Sequence, residues 1–107
     1  MPKRPRSLRI EVADTTSPTT VVLIGEMDLV SAARVKEALL AIANSGEHRV
    51  VVDMSNVTFM DSSGIGALVG GLKRFRALEG EVILRSLSPT VRRSLEITGL
   101  TRVFTLE

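Results

Sequence analysis

The sequence predicts an α/β fold, a mixed and mostly parallel β-sheet flanked by helices, in the order β-β-α-β-α-β-α-β. Three observations lead there. Short β-branched runs alternate, from residue 31 onward, with stretches whose apolar residues recur at helical spacing. Two early runs, 8–12 and 21–25, are separated only by polar turn chemistry and read as an opening hairpin. The later strand–helix–strand alternation implies right-handed crossovers, and therefore parallel strands covered by helices.

Each element has its own reason. "LRIEV" (8–12) alternates apolar and polar residues, the period of a half-buried strand. "ADTTSPTT" (13–20) is turn chemistry, in which Pro18 cannot donate to a ladder. "VVLIG" (21–25) is a continuous β-branched run fit for a deeply buried strand. "GEMD" (25–28) then reads as a polar turn. Ser31 is placed to cap a helix in which Val35, Leu39 and Ile42 share a face, and Gly46 is placed to stop it. "RVVVDMS" (49–55) is the central strand. A second helix, capped by Ser62, sets Ile65, Leu68, Val69, Leu72 and Phe75 on one face and ends at Gly80. "EVILRSL" (81–87) is a strand, and Ser88 with Pro89 opens a helix through Ile97. Gly99 closes it, and "RVFTLE" (102–107) forms the last strand.

Composition bounds the function. At 107 residues the chain has the size of one ordinary domain. Residues 1–7 are expected to be a flexible basic tail, and residues 8–107 a single domain. Hydrophobic content of 44% with 24% charge is that of a soluble globular protein. No cysteine is present, which excludes disulfides and thiolate metal sites and suits a cytoplasmic location. No apolar run approaches the roughly 20 residues that span a bilayer. Net charge is only +2, and without Trp or Tyr to stack bases a nucleic-acid partner is not expected.

One cluster resists a purely structural account. "FMDSSGIGAL" (59–68) puts an aspartate, two serines and two glycines where a strand hands over to a helix. Sites in parallel sheets lie outside the carboxyl ends of strands, and this cluster occupies such a place. The turn holding Asp28 could share the same rim. A serine nucleophile needs a base, yet His48 is the only histidine and precedes the central strand at its other end. The glycine-x-serine-x-glycine elbow is absent. No cluster has metal-ligand spacing, and no lysine follows the glycines as a nucleotide-binding loop requires. Neither catalytic residues nor a metal or cofactor is therefore expected.

Besides a pocket for a small anion at the helix N-terminus, two readings remain. In one, Ser62 caps the helix while Gly64 and Gly66 allow tight packing against the sheet. In the other, the helix face opposite the apolar stripe is a docking ridge. That face carries Gly66, Ala67, Gly70 and Ala77, where an exposed helix ordinarily carries long side chains.

The chain resembles the single-domain STAS proteins, the bacterial anti-sigma factor antagonists. The resemblance rests on "GEMDLVSAARVKEAL" (25–39), "VVVDMSNVTFMDSSGIGAL" (50–68) and "GEVILRSLSPTVRRSLEITGL" (80–100). It implies partner switching. The unphosphorylated antagonist binds an anti-sigma factor that is also a serine kinase, and so frees the sigma factor. The kinase phosphorylates the serine after the motif aspartate, and a serine phosphatase reverses the modification. By resemblance, Asp61 is that aspartate, Ser62 the phosphoacceptor and Ser63 its unmodified neighbour. Asp28 would lie near the loop, and a monomer or weak dimer is expected. The resemblance also leaves room for a scaffold subunit of a larger stress-sensing or transport complex.

Overall fold

The computed structural model describes residues 8–14 and 18–107. The expected basic tail, 1–7, and part of the hairpin turn, 15–17, lie outside the described residues. The element order is β1 (Arg9–Asp14), β2 (Thr19–Met27), α1 (Leu29–Asn44), β3 (Arg49–Met60), α2 (Ser62–Ala77), β4 (Glu81–Arg85), α3 (Pro89–Ile97) and β5 (Thr105–Leu106). A 3-10 turn, Leu100–Arg102, precedes β5. The strands pair in chain order, β1-β2-β3-β4-β5, with β1 and β2 antiparallel and every later pair parallel. The predicted mixed, mostly parallel sheet is the sheet observed.

The three helices share one core with one side of the sheet. Leu23, Met27, Val50, Val52, Met54, Val82 and Leu84 pack in a single cluster with Val35, Leu39, Leu68, Leu72, Phe75, Val91 and Leu95. Val51 and Ile83, which alternate onto the other side, are also buried. That explains the unbroken β-branched run at Val50–Val52: a central strand covered on both faces has no reason to alternate.

Several boundaries differ from expectation, and the differences position the site. The strands at 21–25 and 49–55 extend to Met27 and Met60, so the "GEMD" residues Gly25, Glu26 and Met27 lie in β2 rather than in a turn. The β2–β3 register passes from Val22↔Asp53 to Ile24↔Asn56, and from Gly25↔Val57 to Glu26↔Phe59. β3 therefore carries two extra residues, which break the alternation that marks a strand in sequence. Gly25 takes φ 118° beside one of these bulges, a conformation that side-chain-bearing residues rarely adopt. Residues 102–104, read as part of the last strand, instead finish the 3-10 turn and its exit, and only Thr105 and Leu106 pair.

The stop of α2 is built on two residues. The Gly80 N–H donates to the Phe75 carbonyl at 2.6 Å and the Glu79 N–H to the Arg76 carbonyl at 3.0 Å. These are the two bonds of a Schellman motif, whose left-handed position falls on Glu79 at φ 61°. Gly80 answers a different need. A Cβ there would lie 2.2 Å from the His48 carbonyl oxygen.

Candidate functional site

β2 and β3 end side by side, with Met27 in register with Met60. Each strand is followed at once by an aspartate that caps a helix. Asp28 caps α1: its Oδ1 accepts from the Ser31 N–H at 3.0 Å, and the Ser31 hydroxyl oxygen accepts from the Asp28 N–H at 2.9 Å. Asp61 caps α2, its Oδ1 accepting from the N–H groups of Ser63 at 2.9 Å and Gly64 at 3.3 Å. The two expected caps are thus corrected by three residues and by one. Ser31 is the third helical residue and serves a reciprocal capping box, while Ser62 is the first helical residue and caps nothing.

The Asp28 carboxyl is held below its ordinary range, first by the Ser31 N–H and next by the Ser31 hydroxyl, both of which favour the charged form. The rim therefore presents two capping carboxylates at the positive ends of two adjacent helices. Directly after Asp61 the Ser62 side chain is exposed, and its hydroxyl makes no hydrogen bond among the described residues. Ser63 is half-buried and faces α1 across a groove.

That groove, about 280 Å³, is lined by Leu29, Ala32, Ala33 and Lys36 from α1, and by Ser63, Gly66 and Ala67 from α2. The expected ridge is only partly exposed. Gly66 is open: a Cβ there would meet nothing within 4 Å. Ala67 is 5% exposed and belongs to the core, because this side of α2 packs against α1. Gly70 lies beneath the Lys36 side chain, 3.0 Å from Cε for an added Cβ. Gly64 is required by the fold, since a Cβ would come within 2.6 Å of Met60 Cγ and 3.0 Å of Met27 Cγ. At Gly71 an added Cβ would lie 2.5 Å from Leu39 Cδ1, so the glycines divide into fold-serving (Gly64, Gly71) and groove-serving (Gly66 in its lining, Gly70 under Lys36).

Three residues of this rim escaped the sequence reading. Leu29 is 72% exposed, Val30 75% and Phe59 45%. Phe59 pairs with Glu26 at the end of β3, and Leu29 and Val30 form the first turn of α1. A signal was present: Leu29 and Val30 precede the stripe of Val35, Leu39 and Ile42. Large exposed apolar residues gathered around polar loops mark contact surfaces.

His48 lies just before β3 and Asp61 just after it, so the full 12-residue strand separates the two. Among the described residues no group of three His, Cys, Asp or Glu could hold a metal ion. Among them, too, no helix is long and apolar enough to cross a membrane.

Comparison with known proteins agrees with this architecture. A relative from Listeria monocytogenes, named anti-sigma-B factor antagonist, is 34% identical over 101 residues, 94% of this chain and 88% of its own length. The crystal structure of an anti-sigma factor antagonist from Mycobacterium paratuberculosis superposes with TM-score 0.84 at 28% identity, covering 96% of this chain and 87% of that one. The antagonist SpoIIAA in its unphosphorylated form gives TM-score 0.75 at 25% identity, covering 94% and 88%. The Bacillus cell fate determinant SpoIIAA in its phosphorylated form gives 0.68, again at 25% identity, covering 94% and 91%. The STAS domain profile matches residues 9–107, from the first strand to the last residue, and the chain belongs to the STAS domain family.

Proposed function

We propose that this chain is an anti-sigma factor antagonist, a regulatory binding protein rather than an enzyme, switched by phosphorylation of Ser62. The observation that carries the proposal is the Ser62 hydroxyl, exposed and without a hydrogen-bond partner among the described residues, beside an aspartate that already does the capping. A hydroxyl that the fold does not use is available for modification. In this reading the unmodified form binds an anti-sigma factor serine kinase across the rim of Asp28, Asp61, Ser63 and Gly66, and so releases the sigma factor. A serine phosphatase restores the binding form. We place this domain at residues 8–107, acting in the cytoplasm as a monomer or weak dimer.

The energetics suit a switch. A phosphoryl group adds about −1.5 to −2 charge. At the start of a helix the dipole stabilises such a charge by roughly 0.3–1 kcal/mol, so the fold tolerates it. A docked partner does not, with two carboxylates already on the rim, because like charges juxtaposed at an interface cost several kcal/mol. A loss of about 3 kcal/mol weakens binding roughly a hundredfold.

The test is incubation with the cognate anti-sigma factor kinase and ATP, followed by mass mapping of the modified residue. Phosphate is expected on the parent and on Ser63→Ala, and none on Ser62→Ala. Labelling of Ser62→Ala that disappears in Ser63→Ala would move the site, and no labelling of the parent would remove the switch.

A further inference from the structure

The groove between α1 and α2 ends in a cation that the described part of the molecule leaves without a partner. Lys36 reaches from α1 across α2 and lies over Gly70, with Cε, Cδ and Nζ at 3.0, 3.3 and 3.5 Å from where a Cβ would stand. The bare glycine lets the lysine stem lie flat across the neighbouring helix. Among the described residues Lys36 makes no ion pair and no hydrogen bond, so its ammonium keeps three donors to offer. The remainder of the groove, Leu29, Ala32, Ala33 and Ala67, offers no anion to meet it. The carboxylates of Asp28 and Asp61 sit at the far end, about 12 Å back along the helices at 1.5 Å per residue.

We propose that Lys36 is the specificity-determining residue of the docking face, pairing with a carboxylate of the bound anti-sigma factor whose neighbouring apolar side chain fills the groove. The inference rests on the function proposed above. A partner covering this groove must desolvate the ammonium, and an ammonium desolvated without a counter-charge opposes binding. A segment that brings an acidic side chain to Lys36 is therefore selected over one that brings a neutral or basic one. The acid cannot sit at the other end, where Asp28 and Asp61 repel it. Register and polarity of the partner segment are thereby set together. The same acid also belongs to what a phosphoryl group on Ser62 would repel, which links specificity to the switch.

The experiment is calorimetric titration of the parent, Lys36→Arg, Lys36→Gln, Lys36→Glu and Gly70→Glu with the anti-sigma factor kinase of the same organism, at low and high salt. Lys36→Arg should bind within about threefold of the parent. Lys36→Gln and Lys36→Glu should weaken binding by about thirtyfold or more, as truncation of a desolvated pair does. Gly70→Glu places a carboxylate beside the ammonium within the chain, and should compete with the partner's acid and weaken binding about tenfold or more. Salt should weaken the parent complex more than the Lys36→Gln complex. Melting temperatures of the three Lys36 variants should stay at the parent value, since Lys36 is exposed, and Gly70→Glu should melt no lower than the parent, since it replaces a glycine inside a helix. Charge reversal is the final arm: one Asp or Glu→Lys change in the kinase should restore binding to Lys36→Glu. A parent that binds the kinase while Lys36→Glu binds equally well overturns this inference and leaves the proposed function standing. A parent that binds no anti-sigma factor overturns both.

Discussion

The backbone N–H of Asp61 donates to the carbonyl of Met27 at 3.3 Å, tying the end of β3 to the end of β2 at the foot of both helix caps. The two rim aspartates, 33 positions apart in sequence, are neighbours because of this bond and the parallel register that leads to it. The rim is thus joined by backbone pairing between the two strand ends.

Asp61→Ala should cost about 1 kcal/mol, because it leaves two first-turn N–H groups without their acceptor. Ser62→Ala should stay within about 0.5 kcal/mol of the parent, as surface changes away from such features do. Thermal melting compares the two directly, with about 4–8 °C expected per kcal/mol for a domain of this size. The reverse order would mean that Ser62 is the cap after all.

Asp28 predicts an acid limb in the stability profile. Its folded pKa lies below the ordinary value of 3.8, so folding favours the charged form. The contribution is fully present above the unfolded pKa and is lost as pH falls through the lower folded one. Asp28→Asn keeps a capping oxygen but cannot titrate. Denaturant unfolding between neutral pH and acid should show a shallower loss for Asp28→Asn than for the parent, confined to the region below about pH 5.

The glycines of α2 should separate by position. Gly66→Ala meets open space and should stabilise the helix by up to about 1 kcal/mol. Gly71→Ala would put its Cβ 2.5 Å from Leu39 Cδ1 and 3.0 Å from Leu39 Cβ, and Leu39 is buried. Overpacking there should destabilise by about 1–3 kcal/mol. Equal effects of the two changes on the denaturation midpoint would contradict the division into fold-serving and groove-serving positions.

Glu79 and Gly80 make a further pair with opposite expectations. Glu79→Gly relieves a left-handed residue at a net gain of about 0.5–1 kcal/mol, reduced by the extra freedom of the unfolded chain. Gly80→Ala drives a methyl into the His48 carbonyl, which already accepts from the Glu81 N–H at 2.8 Å and so cannot retreat cheaply. A loss of about 3 kcal/mol or more is expected. Melting curves that left Gly80→Ala unchanged would show that this contact can relax.

The fold was largely legible because its signals are periodic. The stripe through Leu68, Leu72 and Phe75 and the cap-and-proline pair Ser88–Pro89 stand in the structure as the sequence implies. The failures share a physical origin. The bulges between Val22 and Ile24 and between Gly25 and Glu26 interrupt alternation, so paired strand residues read as a turn. Where Asp, Ser and Ser all occur within a few residues, each can cap, and only the helix phase decides which one does. Ala67 carries too little hydropathy to announce that it faces inward; its burial is set by where α1 lies, not by anything local to α2. The exposed serine was legible as a candidate, whereas Lys36 over Gly70 joins two segments that no sequence pattern connects.

The strand order 1-2-3-4-5 bears on how the chain assembles. Every strand pairs with its neighbour in sequence, so no strand has to be threaded between two already formed. The average separation between touching residues is thereby kept lower than a shuffled order of parallel strands would allow, which shortens the loops that must close before the sheet forms. During synthesis the sheet can grow outward one strand at a time, since the stretch from β1 to α2 emerges ahead of β4. The rim and its serine then belong to the early-folding part of the molecule. The two-residue β5 joins last, and its amides should be the first in the sheet to exchange with solvent.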